Sequence, residues 1–257
     1  MVAMSFESAR RKAGDFNVLM AGVCTLVAFG GFLPTYWLQL PAGTFVGPPL
    51  LHVHGLLFSA WPLLLLSQTW LAANGRLNRH RAWGLVGISL ATAMVVVGLV
   101  VAIDQLTTGL AAGYGDRSRA FFLLPMSSLA LFAGFFIAAI ANIKRPEAHK
   151  RLMLLATFAL LSAAVARVFF VLITGGGPGM RPGLMPPPSL SIAVVPGLIV
   201  QLLIVAGIVR DLRVRGRPHP AWLIGMALTA AVNLLRLPVS GTHAWLAVAD
   251  AFAHLAR

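Results

Sequence analysis

Cysteine is almost missing from this chain: Cys24 is the single one in 257 residues. An internal disulfide is therefore excluded, and so is a cysteine-based zinc site. Charge is scarce as well, 11% of residues against about 25% in a soluble domain. Acidic residues are scarcer still, seven against twenty Lys and Arg. No lysine lies in the last long apolar run, which excludes a retinal attachment. No carboxylate falls at the middle of an apolar run, so a proton relay built on Asp or Glu is not available. Ser-His-Asp order and paired carboxylates are absent. The run Gly175-Gly176-Gly177 follows no strand and precedes no Lys-Ser/Thr pair, so it is no phosphate cradle. With Pro186-Pro187-Pro188 it reads as an irregular loop.

What the chain has in quantity is apolar residues, 58% of the total. They fall in runs of roughly 17–25 residues, long enough to cross about 30 Å of hydrocarbon. Lipid requires each run to satisfy its own backbone, so the runs should be helices. The alternation of an outer-membrane strand is missing. The expected spans are Phe16–Leu38, Leu50–Ala72, Trp83–Ile103, Phe121–Ile143, Leu152–Thr174, Ser191–Val209 and Ala221–Leu237. The fold class is all-α: a polytopic membrane helix bundle of seven transmembrane helices plus a short C-terminal interfacial helix. It forms a single membrane domain, with a basic N-terminus over 1–15, the bundle over 16–237 and a C-terminal segment over 238–257. The first run is too long for a signal-peptide core and lacks a small-x-small cleavage site, so it reads as an uncleaved anchor. His243–Leu255 is too short to span, and an interfacial helix is expected there, with a re-entrant segment as the alternative.

The net charge of +13 would point to nucleic acid in a soluble protein. Here topology explains it, and no nucleic-acid partner is expected. Fourteen of the twenty basic residues fall on one side of the drawing, from Arg10-Arg11-Lys12 through the loops at 76–81, 144–151 and 210–217. Positive charge gathers in cytoplasmic loops. This side is expected inside, which puts the N-terminus in the cytoplasm and the C-terminus in the periplasm of a bacterial inner membrane.

The three basic loops share a spacing: Arg76 and His80, Arg145 and His149, Arg215 and His219. The expected reading is that these residues are interfacial and the histidines not ligands, with His and Trp in the headgroup layer and Arg on lipid phosphate, which makes anionic membrane lipid the expected partner. The other is that these histidines converge on copper, zinc or heme; the surrounding cations oppose it.

A second polar set lies at the opposite side. His52 and His54 start the second span and Asp104 ends the third. Arg167 lies roughly 22 Å along the fifth span, and Arg236 at a similar height on the seventh. Ionisable groups inside spans are functional candidates by default. Arginines here suit an anionic headgroup, a carboxylate or a heme propionate, or pair with Asp104. A pocket lined by His54, Arg167 and Arg236 is expected.

Leu51-His52-Val53-His54-Gly55, Gln68, Arg76, His80-Arg81-Ala82-Trp83-Gly84 and His149-Lys150-Arg151-Leu152-Met153 resemble an uncharacterised family of multi-spanning bacterial inner-membrane proteins, over about residues 50–170. The His-x-x-Leu-Met piece is similar, more weakly, to membrane proteins of terminal-oxidase assembly. The resemblance implies the membrane class. Three functions stay open: an accessory, assembly or binding protein, attached to a larger respiratory or photosynthetic complex; a redox protein holding b-type heme or copper through His52 or His54; and a transporter or receptor for a small anion.

Overall fold

The computed structural model describes the backbone of residues 2–255 and side chains from Phe16 to Leu255. The charges of Arg10, Arg11, Lys12 and Arg257 lie outside the described side chains. The described residues form eight α-helices in chain order: α1 (Val2–Phe32), α2 (Pro49–Ala73), α3 (Leu77–Ala111), α4 (Asp116–Ala141), α5 (Pro146–Thr174), α6 (Val194–Arg215), α7 (Pro220–Ser240) and α8 (His243–Leu255). Seven of these helices are long and apolar enough to cross a membrane, the first counted from Phe16 to Trp37. Their flanks carry large apolar side chains on the outside, among them Leu26, Ile137, Leu172 and Leu234. Such surface suits hydrocarbon, and the chain is a multi-pass membrane protein by this measure.

Each expected span corresponds to one long helix, but Phe16–Leu38 runs past α1 through a π-helical turn, Phe121–Ile143 overruns α4 at Ala141, and Ser191–Val209 begins in a 3-10 turn ahead of α6. In turn, α3 extends well beyond the expected Trp83–Ile103 at both ends. The added turns carry Arg79, His80 and Arg81 at one end and Thr107 and Thr108 at the other. Apolar length marks the hydrocarbon crossing and says nothing of where the backbone stops being helical. Left-handed glycines stop α5 and α6: Gly175 and Gly216 have φ near +79° and +71° and return their N–H to Val171 and Leu212, a conformation that L side chains resist.

The core joins α1, α2, α3, α4, α5, α6 and α7 around Cys24, Trp61, Met94, Phe132, Leu155, Phe158, Ile204 and Trp222. The Trp61 indole donates to Thr157 at 3.0 Å. Small residues let backbones close up, as at membrane helix interfaces: a Cβ on Gly31 would sit 2.6 Å from the Ala164 carbonyl carbon of α5.

The bundle has two distinct ends. At the basic end, the α4–α5 and α6–α7 turns meet through Arg215 and Glu147, the α2–α3 and α4–α5 turns through His80 and His149, and Phe16 of α1 lies under Arg210. At the opposite end, α8 docks on α3 and α4, burying Ala249 and Ala253 beside Leu106 and Phe122. Trp245 donates to the Arg119 carbonyl at 2.8 Å, and Arg119 binds Asp250 at 2.7 Å.

Candidate functional site

The opposite end is shaped by the break in α1. Pro34 lies just inside a π-helical turn, Leu33–Trp37, where Leu38 donates back to Leu33 at 2.9 Å. Such turns insert a residue and re-aim the side chains beyond them. Here the turn sends Tyr36 across α2, its hydroxyl 3.2 Å from His52 Nδ1. Gly55 makes room, since a Cβ there would lie 2.9 Å from the Tyr36 ring. Phe45 closes the group, at 5.0 Å from the His52 ring. Gln39 then ties the Gly- and Pro-rich loop to α1, donating to Pro34 at 3.1 Å and to Met180 at 3.0 Å.

His54 leaves the helix on another side and stacks on Phe58, with ring centres 4.0 Å apart. Its Nδ1 is buried and has no hydrogen-bond partner. Arg167 is close enough for its charge to act on this imidazole. The Arg167 guanidinium lies 5.3 Å over the Phe32 ring, and among the described residues it makes no hydrogen bond or ion pair. Asp104 does not take it up; the cation on which the Asp104 charge acts is Arg181, whose Nε is held by the Val46 carbonyl. Burial lowers the Arg181 pKa and Asp104 opposes that shift.

Arg236 belongs to a separate set. Its three nitrogens donate to Ser127 at 2.7 Å, Asn233 at 2.8 Å and Ser128 at 2.9 Å. Each nitrogen of the guanidinium is thus engaged between α7 and α4. A cleft of about 450 Å³ lies at the same end on other residues, Leu110, Gly113, Arg119, Asp250 and His254, under α8. The five residues expected to gather therefore divide: His54 and Arg167 stand together, Asp104 and His52 belong to neighbouring groups, and Arg236 is satisfied elsewhere.

The basic end holds an ion-pair network. Arg151, 1% exposed, faces Asp211, 0% exposed, through two parallel bonds, one of them 2.9 Å long. Its remaining nitrogen donates to the Glu147 side chain at 2.7 Å. Glu147 also takes Lys150 and Arg215, each at 2.6 Å, and Asp211 takes the His219 backbone N–H at 3.1 Å. The spacing of Glu147, Lys150 and Arg151, three and four residues apart on one helix, is a signal that sequence can carry; the partnership with Asp211 is not.

Of the repeated arginines, Arg76 lies 4.7 Å over Trp70 and Arg145 stands at the N-terminal boundary of α5. All three imidazoles rest on backbone. His80 Nδ1 is 3.3 Å from the Gln68 carbonyl, and His149 Nδ1 is 2.9 Å from the Ala139 carbonyl. His219 differs: its Nδ1 accepts from Ala221 N–H at 3.1 Å and caps α7. Burial holds its pKa below the ordinary histidine value, and Arg151 and Arg215 push the same way. Compared with family models, curated proteins and solved structures, the chain finds no match.

Proposed function

We propose that this chain is an accessory protein of the bacterial inner membrane that binds an anion carrying an apolar body, such as an anionic lipid, beside Arg167. One observation carries the reading: Arg167 is a cation without a carboxylate or hydrogen-bond acceptor among the described residues, within electrostatic range of the His54 imidazole, whose buried Nδ1 also lacks a partner. An arginine left bare in hydrocarbon costs about 2.5–3.5 kcal/mol or more. A carboxylate or phosphate would meet the planar guanidinium in two bonds, and His54 offers a third. Phe32 and Phe58, against which the two groups lie, suit an apolar tail. Arg236, already held by three oxygens, is not part of the site. A place beside a larger membrane complex fits such a binding role. The positive-inside pattern supports a cytoplasmic basic end, which puts the site on the periplasmic side.

The test uses purified protein in a neutral detergent and dodecyl phosphate as the probe. Dodecyl phosphate should raise the unfolding temperature of the unaltered chain, and Arg167→Ala should abolish that rise while Arg236→Ala, though less stable, keeps it. Equal rises in the unaltered chain and Arg167→Ala would defeat the proposal.

A further inference from the structure

We propose that the basic end binds one monovalent copper ion between Nε2 of His80 and Nε2 of His149, with the Met153 thioether as third donor.

The first ground is the tautomer. A backbone carbonyl only accepts, so the nitrogen facing it must carry the proton. In both rings that nitrogen is Nδ1. Each neutral imidazole therefore keeps its lone pair on Nε2, the arrangement by which ligating histidines are oriented. The device occurs twice, once across the α2–α3 turn and once across the α4–α5 turn. His219 is the built-in contrast, because its Nδ1 accepts and its proton must sit on Nε2.

Distance is the second ground. The His80 and His149 ring centres are 6.4 Å apart, with planes at 89°. Metal–nitrogen bonds of about 2.0–2.1 Å on each side, added to the ring radii, make up a separation of this size. The third ground is what surrounds the pair. Met153 lies one turn beyond His149 on the same face of α5 and packs against the core. The Gln68 side-chain amide is buried with neither atom hydrogen-bonded, on the residue whose carbonyl orients His80.

Charge then selects the ion. The network offsets only part of the cationic crowding around these histidines, since Glu147 and Asp211 are two carboxylates among Lys150, Arg151, Arg210 and Arg215, and Arg81 also acts on His80. A single positive charge still meets less repulsion than a double one. Two imidazoles with a soft thioether suit copper(I) better than magnesium, calcium or manganese.

The experiment titrates the full chain in detergent with copper(I) against a chromogenic copper(I) chelator. The unaltered chain should retain one equivalent. His80→Ala and His149→Ala should each weaken retention by at least about tenfold, Met153→Leu should weaken it less, and His219→Ala should not change it. X-ray absorption of the loaded, unaltered chain gives a reading that no folding defect can mimic: imidazole scattering from two rings at about 2.0 Å and one sulfur. Retention no better than that of the His80→Ala/His149→Ala double variant, a loss as large in His219→Ala, or a copper shell without imidazole would overturn the site. Met153→Leu binding at full strength would overturn the three-donor set.

Discussion

At the scale of single residues, Arg151 and Asp211 decide the most. Both are out of solvent, and a buried pair loses about 3–5 kcal/mol when one member is removed, because the other is left uncompensated. Arg151→Leu should therefore destabilise the chain by about that much. The Arg151→Leu/Asp211→Leu double variant should recover a good part of the loss. Recovery stays incomplete, because Asp211 also receives the His219 N–H. Equilibrium unfolding in mixed micelles measures both; a double variant no better than the single would show that the pair's mutual attraction is not what matters. Sequence reading places Arg151 among loop cations because its partner lies 60 residues away, on a helix whose facing could not be known. His54 and Arg167 are legible as a pair of heights, since each position along a span converts to depth. Arg236 has the same height, but its neighbours Ser127 and Ser128 become visible only when α4 and α7 are packed.

At the scale of elements, helix contact rests on glycine at chosen points. Gly31 faces the Ala164 backbone, whereas a Cβ on the adjacent Gly30 meets nothing within 4 Å. Gly31→Ala should cost about 1–3 kcal/mol by forcing α1 off α5, and Gly30→Ala should be neutral or slightly stabilising. Thermal unfolding of the two variants side by side checks this; equal effects would mean that the close approach is not needed. The same contact explains why a tight helix pair could not be inferred beforehand: two adjacent glycines look alike in sequence, and only the packed bundle tells them apart. Helix identity itself was legible, because apolar length under lipid allows little else.

At the scale of the whole molecule, the prediction concerns orientation. Seven crossings with the basic end inside put the C-terminus outside. A reporter fused after Arg257 should be active only in a form that reports the periplasm. Cytoplasmic activity would require an even number of crossings or a reversed bundle. The alternation of basic loops made this drawing possible from sequence, since one missed span would have scrambled it.

The Arg151 pairing also bears on how the chain is made. A ribosome adds about 5–20 residues each second, so the 60 residues between Arg151 and Asp211 take about 3–12 s. Throughout that interval α5 has emerged and its final counter-charge has not. Glu147, one turn earlier and synthesised first, is at hand from the start. It can hold the arginine while α6 is still being translated, then share it when Asp211 arrives. By order of synthesis, the half-exposed glutamate is the carboxylate within reach of Arg151 until the buried aspartate has been made.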